Sequence, residues 1–399
     1  MHMYTNHLKI ALILGLVFVT GLGHAQNMDV KFSYNEVDPR PFADNAGHWY
    51  SIADKHNVIN ALPGRPKHKV TEITNIADNI LLFQKDNGGW PKNYDVMAIL
   101  TPEQKDSLTK VKSILNTTYD NGSTYNQIIV LANVYTVTKI EKYKQAALKG
   151  LDFVLQSQYD NGGWPQYYPL EKNYSRYITY NDGNFEGIMG LLKDIDEEKP
   201  QYAFLDKRFR EKLKGAYEKA FSCIIKTQIN DVGKLTAWCQ QYDEKTLQPA
   251  WARKFEPASI CNKESADMVL FLMSIDHPKK EIIDAIQNAV AWFQDSKIYN
   301  TIEKTVPAPK LVTPFRVSKT DKIVVRDTTA PPIWTRYYEL KTHKPIFCDR
   351  DSKIVYALAD IVRERRDGYA WYTYAPQKVL DKYSKWQQKW DANRNVLKR

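Results

Sequence analysis

Acidic and basic side chains recur in four short loops of the sequence. Asp120 lies in TYDNGS, Asp182 in ITYNDGN, Arg253 and Glu256 in AWARKFEPAS, and Arg350 in FCDRDSK. Two carboxylates from different loops can hold a hard divalent cation through oxygen, and calcium suits an exported protein. Arginines facing such a cation grip carboxylates through paired hydrogen bonds. The four loops therefore predict a calcium site that binds chains of uronic acids.

Helix capping is the structural alternative for each aspartate, because an acidic side chain stabilises the first turn of a helix. This alternative stays open for Asp120 and Asp182 taken singly. It fails for Arg253 and Arg350, since a cation is unfavourable at a helix N-terminus. The arginines are therefore the stronger evidence for a binding site.

A repeated phrase indicates the elements that position these loops. QKDNGGWP at 84–91 and QYDNGGWP at 158–165 each follow an amphipathic helix, and degenerate copies follow at 226–231 and 292–296. A second helix is predicted within each interval, at 124–137, 184–195 and 265–275. Repeated helical hairpins must stack to bury their apolar faces. We therefore predict an all-α fold, an α/α toroid, with a small irregular or β excursion between residues 300 and 332.

The repeated loop itself contains candidate binding residues. Asn-Gly and Gly-Gly supply positive-φ positions after the helix, and the proline stops the helix from resuming. Trp90 and Trp164 either fill the seam between hairpins or stack against a sugar ring, and both are retained as substrate-binding candidates. Lys92 follows the first copy directly.

The N-terminal sequence and the net charge of the chain indicate its cellular location and its type of binding partner. Residues 1–25 have the basic start, the apolar run and the small-residue exit of a signal peptide, which leaves 26–399 as one catalytic domain. The formal net charge is +10, without an arginine-rich tail. We expect a periplasmic or secreted monomer with an acidic polysaccharide partner, no nucleic acid, and no membrane contact after cleavage.

Six ordered motifs between about residues 60 and 366 resemble the tenth family of polysaccharide lyases, the pectate lyases. They are NGGWPK at 87–92, TYDNGST at 118–124, NGGWPQYYP at 161–169, ITYND at 178–182, PAWARKFEPAS at 249–259 and RYYELKTHKPIFCDRD at 336–351. The resemblance implies an α/α toroid that cleaves polygalacturonate by β-elimination with calcium. Gly183 and Asn184 after ITYND, and Cys348 and Asp349 in the last motif, depart from the family pattern and bear on the exact calcium ligands.

The resemblance also implies residue roles. Asp120 and Asp182 match the acidic pair at the calcium and substrate site, Arg253 the proposed base, and Arg336 and Arg350 substrate-binding arginines. A guanidinium is an awkward base because its pKa lies above about 12. We expect surrounding cations to depress that pKa, with Lys92 and Lys254 as weaker candidates for the base.

Three other functions remain possible from the residues alone. A uronate-polysaccharide-binding protein would use the same loops without turnover, and a glycoside hydrolase would need paired carboxylic acids rather than arginines. The spacing of Gln84, Gly88 and Trp90 also fits triterpene cyclases. The chain lacks the Asp-x-Asp-Asp proton donor of those cyclases, its nearest phrase being DIDE at 194–197.

Overall fold

A computed structural model describes residues 34–47 and 57–398. The predicted signal peptide, residues 1–25, lies outside the described residues. Residues from Tyr34 onward belong to one compact unit. Within the described part of the chain, no helix combines the length and the apolar character needed to cross a bilayer.

Helices form the larger part of the structure. Apolar residues at helical spacing bury one face of each long helix, as Ile76, Ile80 and Phe83 do in α2. The helices are α1 Ala43–Gly47, α2 Ile73–Phe83, α3 Pro102–Lys110, α4 Tyr125–Thr138, α5 Glu141–Ser157, α6 Asn184–Asp196, α7 Lys207–Thr227, α8 Asn262–Met273, α9 Lys280–Asp295, α10 Arg363–Asp367 and α11 Ala375–Trp390.

The long helices pack as consecutive antiparallel pairs in two layers. α4, α6 and α8 follow one another in the layer that carries the site loops, and α5, α7 and α9 follow one another in the second layer. α2 packs on the first pair and α11 on the last. The predicted hairpins and their second helices are therefore confirmed to within a few residues.

Strands are more extensive than predicted, and the expectation of an all-α toroid is wrong. Helix accounts for 44% and strand for 15% of the structure. The strands are β1 Ile178–Thr179, β2 Asn230–Asp231, β3 Lys234–Leu235, β4 Gln241–Tyr242, β5 Ile260–Cys261, β6 Thr301–Val312, β7 Val317–Arg326, β8 Trp334–Thr335, β9 Tyr337–Tyr338, β10 Pro345–Cys348, β11 Ile354–Val355 and β12 Tyr372–Thr373. They pair antiparallel in a four-stranded sheet of order β11-β10-β9-β5 and in the two-stranded sheets β1-β4, β2-β3, β6-β7 and β8-β12.

The excursion at 300–332 is a long β-hairpin. β6 and β7 pair from Thr301 opposite Arg326 to Val312 opposite Val317, with a register shift between Pro307 and Leu311. α10 packs against β7. The predicted irregular or β excursion is therefore a β-hairpin, and its second strand is covered by α10.

The loops that follow α2, α5, α7 and α9 end these helices in the same way. The indole N–H of Trp90 donates to the carbonyl of Ile80 at 2.8 Å, and that of Trp164 donates to Val154 at 2.9 Å. Trp238 and Trp334 make the corresponding bonds, to Ile224 and Phe293, both at 2.8 Å. Each tryptophan thus satisfies a helix carbonyl while it fills the seam.

The glycines of the repeated loop permit a close approach to the next helix. Gly88 has φ +94°, and a Cβ built there would lie 2.2 Å from the carbonyl oxygen of Lys149. Gly162 has φ +95°, and its Cβ would lie 2.1 Å from the carbonyl oxygen of Lys219. Both the backbone conformation and the space require glycine at these two positions.

Candidate active site

The site loops border one cleft of about 940 Å³. Its walls come from helix-preceding loops on one side and from the β-rich part of the chain on the other. The lining includes five polar residues predicted from the sequence, Asp120, Asp182, Arg253, Arg336 and Arg350, and also Lys92. The predicted convergence of acids and cations on one groove is therefore present in the structure.

The two aspartates lie on matching turns that contact each other. Asp120–Gly122 precedes α4, and Asn181–Gly183 precedes α6, each as a short 3-10 turn. Asn121 and Asp182 have φ values of 52° and 54°, a conformation that Asn and Asp tolerate better than most residues. Neither aspartate caps its helix, since neither helix has a side-chain cap hydrogen bond. The carboxylates are therefore available to the cleft.

Asp120 forms a buried ion pair with Lys92. The Lys92 ammonium contacts Oδ2 of Asp120, while Oδ1 is buried and has no hydrogen-bond partner among the described residues. Burial works against the charged form of Asp120, but the positive charge of Lys92 outweighs it and lowers the pKa of Asp120. Burial likewise opposes the charge on Lys92, yet the attraction of Asp120 leaves its pKa raised. Asp120 is therefore ionised, with one oxygen free for another ligand.

Asp182 is the less acidic of the two carboxylates. Asn181 donates from Nδ2 to Oδ2 of Asp182 at 2.7 Å. Burial raises the pKa of Asp182, and the negative charge of Asp120 raises it further. Such mutual repulsion is relieved by a shared cation. Among the described residues, however, no group of three or more histidines, cysteines or acids is arranged to hold a metal.

Arg253 is held by its own loop. Its Nε lies 2.7 Å from Oε2 of Glu256, and its Nη2 lies 2.5 Å from Oε1. Burial opposes the charge, but the carboxylate of Glu256 outweighs it and raises the pKa of Arg253 well above its ordinary value. This differs from the expectation that neighbouring cations depress that pKa. In this arrangement Arg253 is a stable cation.

Arg336 is the most buried of the predicted arginines, at 6% exposure. It lies between β8 and β9, where its Nη2 donates to Glu264 and its Cζ lies 4.6 Å from the ring centre of Tyr369. Its Nε is buried without a hydrogen-bond partner in the described structure. Burial opposes the charge on Arg336, yet the carboxylate of Glu264 leaves its pKa raised.

Arg350 follows β10 and does not precede a helix, so the capping argument made from the sequence does not apply to it. Its Nε and Nη2 lie 2.9 and 3.1 Å from the two carboxylate oxygens of Glu364, which belongs to α10. The hydrogen bonds from Arg350 lower the pKa of Glu364. A guanidinium has five donors, so this two-point pair leaves donors for a second carboxylate.

Arg365 was missed by the sequence reasoning and also lines the cleft. Its Cζ lies 4.3 Å from the ring centre of Phe255 and 5.0 Å from that of Tyr369. Its Nη2 donates to the carbonyl of Gly368 at 2.7 Å, and burial lowers its pKa. The run RERRD at 363–367 shows only charge in the sequence, and nothing in it distinguishes the arginine that faces the cleft.

Trp90 and Trp164 do not border the cleft, and their candidacy as substrate-binding residues is not supported. Their side chains are 0% and 1% exposed. Both indole N–H groups are already bonded to helix carbonyls. A sugar ring cannot reach either indole in this conformation, so the seam interpretation fits both residues.

The cleft as a whole is suited to a polyanion. Cationic side chains border it on both sides, and carboxylates hold several of those cations in fixed orientations. Aromatic rings, among them Tyr167, Tyr174 and Tyr369, add flat apolar faces. Oxygen ligands, guanidinium groups and rings together recognise a chain of carboxylate-bearing sugars.

Comparisons with known proteins identify relatives of the chain. The sequence matches the family described as pectic acid lyase over residues 84–380. Two solved structures, of a family 10 polysaccharide lyase from Cellvibrio cellulosa and of a mutant of it in complex with trigalacturonic acid, are each 26% identical with a TM-score of 0.65. Each comparison covers 88% of this chain and 99% of the other. No curated protein sequence matches the chain.

Proposed function

The chain belongs to the pectic acid lyase family, and we propose that it cleaves polygalacturonate by calcium-assisted β-elimination in the cleft described above. The observation that carries the proposal is the convergence of Asp120, Asp182, Arg253, Arg336 and Arg350 on one groove. The related structure with trigalacturonic acid supports a galacturonate chain as the substrate.

The residues of the cleft bind the substrate through its carboxylates. Arg350 is oriented by Glu364 and keeps donors for a uronate carboxylate. Arg336, which is oriented by Glu264, borders the same cleft and supplies further positive charge to the uronate carboxylates. An arginine fork fixes both the position and the rotation of a carboxylate, so the reacting sugar is held in one orientation.

The reaction removes a proton from C5, which is α to the uronate carboxyl. As that proton leaves to the base, the C5–H electrons form the C4–C5 double bond, and the glycosidic oxygen on C4 departs with the electrons of its bond and takes up a proton from water. Arg253 is the proposed base. Because Glu256 raises the pKa of Arg253, its neutral form is scarce at neutral pH, and proton removal is favoured by alkaline conditions.

The carboxylates at the base of the cleft fit a calcium ion. The orphaned Oδ1 of Asp120 and the neighbouring carboxylate of Asp182 are hard oxygen ligands. Calcium bound there would supply positive charge that favours the extra negative charge developing on the uronate carboxyl. Two carboxylates are few for this cation, so water and the substrate would complete the shell.

The test is a direct assay. Purified protein is mixed with polygalacturonate and calcium, and the ultraviolet absorbance of the unsaturated product is followed. A rise that stops on addition of a calcium chelator and returns on calcium supply is the expected result. A folded protein that yields no unsaturated product rules out the elimination, and a rise indifferent to the chelator rules out the role of calcium.

We also propose that the protein is exported and that the signal segment is removed after Ala25. The layout of residues 1–25 and the extracellular nature of the polymer support this proposal. Mass spectrometry of protein recovered from a secreting host should give a mature chain that starts at Gln26. A chain that stays cell-bound with its first residues intact would contradict it.

A further inference from the structure

The turn of the β6-β7 hairpin forms part of the cleft wall. Residues 313–317 border the same cleft as Arg253 and Arg350. The turn has a defined conformation: the backbone N–H of Thr313 donates to the carbonyl of Arg316 at 2.9 Å, and the hydroxyl of Thr313 accepts from the N–H of Phe315 at 3.2 Å. The position of Phe315 is therefore set by the backbone of the turn.

α10 holds the hairpin in place over the cleft. The carboxylate of Asp367 accepts from the hydroxyls of Ser318 at 2.5 Å and Thr320 at 3.0 Å. Arg366 forms a two-point pair with Asp321, at 2.8 and 2.6 Å. Several charge-assisted bonds act on a short segment, so the turn is a fixed wall and not a loose loop.

Phe315 is unusually exposed for an aromatic residue in such a held position. One face of its ring covers the Arg350 guanidinium, whose Cζ lies 3.7 Å from the ring centre. The residue is nevertheless 54% exposed, and its neighbours Val312 and Val317 are 64% and 60% exposed. Single exposed apolar residues are ordinary, but three at the tip of a hairpin whose turn borders a binding cleft indicate a contact surface.

We propose that Phe315 is a stacking platform for a galacturonate ring bound outside the reacting position. The proposal rests on the proposed function, because it assigns a further binding position to the same substrate. The C–H groups on one side of a pyranose ring pack against an aromatic face, and the ring's carboxylate can reach a guanidinium at the edge of that face. Arg350 covers the opposite face of the ring, so the cation for that carboxylate is Arg316, which borders the same cleft and pairs with Asp367 at 3.1 Å.

The platform predicts a specific kinetic signature. A ring bound away from the reacting bond adds equally to the ground state and the transition state, so its loss raises KM and leaves kcat unchanged. If Phe315 served only to cover Arg350, any apolar side chain of similar size would serve as well. Replacement by such a side chain would then leave KM unchanged.

Phe315→Leu and Phe315→Tyr separate these two roles in the full chain. Leucine keeps an apolar cover for Arg350 without an aromatic face, whereas tyrosine keeps the face. We expect Phe315→Leu to raise KM for polygalacturonate about tenfold with kcat within about twofold. Phe315→Tyr should keep the parent KM. A Phe315→Leu enzyme with the parent KM, or with kcat lowered and KM unchanged, overturns the platform.

A matched control and a binding assay complete the test. Tyr299 is 58% exposed near the far end of the same hairpin, where it borders a separate surface cavity. Tyr299→Ala should leave KM unchanged. Retardation by polygalacturonate in native gels reports binding without turnover. A parent protein that is retarded but inactive contradicts the lyase activity, and its retardation can still be compared with that of Phe315→Leu. Equal retardation of parent and Phe315→Leu contradicts the platform alone.

Discussion

Nε of Arg253 lies 2.7 Å from Oε2 of Glu256, and this pair sets the protonation of the proposed base. Because Glu256 raises the pKa of Arg253, the neutral fraction is small at neutral pH and grows tenfold with each pH unit. The logarithm of kcat/KM should therefore rise with pH through the alkaline range, with a slope near one.

Glu256→Gln tests the role of this pair. Removal of the negative charge lowers the pKa of Arg253, so the rising limb of the pH profile should move to lower pH, even if looser orientation reduces the maximum rate. Steady-state kinetics across pH on parent and variant give the answer. A rate reduced by the same factor at every pH would indicate that Arg253 acts only as a cation.

Asp120→Asn tests the calcium site. The change removes the negative charge beside an otherwise unpartnered oxygen, so we expect kcat/KM to fall about 100-fold or more and the calcium concentration for half-maximal activity to rise. Calcium titration calorimetry provides a readout that does not depend on turnover. Asp106→Asn, at an exposed ion pair on α3, is the control and should behave as the parent. Unchanged calcium affinity in Asp120→Asn would remove Asp120 from the site.

Trp164 is expected to affect stability rather than binding. Trp164→Ala should lower the free energy of unfolding by about 3–5 kcal/mol, because a fully buried indole is lost. Trp164→Phe retains most of the packing but loses the bond to the Val154 carbonyl. Urea unfolding measures both effects, and KM of the folded enzyme should not change. A variant with the parent's unfolding midpoint and a raised KM would restore Trp164 as a binding residue.

Glu186 predicts a pH dependence of stability. Burial raises its pKa from 4.5 to about 8, and Asp267 adds to the shift, while Lys263 opposes it. The unfolded chain releases this proton above about pH 4.5 and the folded chain only near 8. The free energy of unfolding should therefore fall by about 1.4 kcal/mol for each pH unit between those values.

Denaturant unfolding at several pH values checks this slope. Glu186→Gln should flatten the profile over the same interval, because its side chain does not titrate. Glu211→Gln, at an exposed position on α7, should keep the parent slope. A parent profile without any decline between pH 5 and 8 would show that Glu186 is already ionised in the fold.

The repeated phrase and its degenerate copies located all four helix ends, but they revealed the seam tryptophan at only two of them. The copies at 84–91 and 158–165 keep the loop short, so their letters align. After α7 the β2-β3 hairpin separates Gln228 from Trp238, and after α9 the β6-β7 hairpin separates Phe293 from Trp334. The bond from indole to helix carbonyl survives both insertions, but a fixed sequence spacing does not.

The short strands could not be predicted locally, and they position half of the cleft. Ile260 and Cys261 pair with Tyr338 and Tyr337, which are distant in sequence. A strand of two residues is too short to show an alternating apolar and polar pattern. The site residues themselves could be predicted because charged side chains are evident in the sequence. Their partners, such as Glu364 for Arg350, depend on where the β-rich segment folds back.

α10 has a consequence for protein engineering. Glu364 on this five-residue helix orients Arg350, while Arg366 and Asp367 fasten the β6-β7 hairpin. A designer who grafts the hairpin into another lyase to lengthen its grip on the polymer must therefore transplant residues 363–367 as well. Without them, the transplanted hairpin would lack the hydrogen bonds and the ion pair that fix its position.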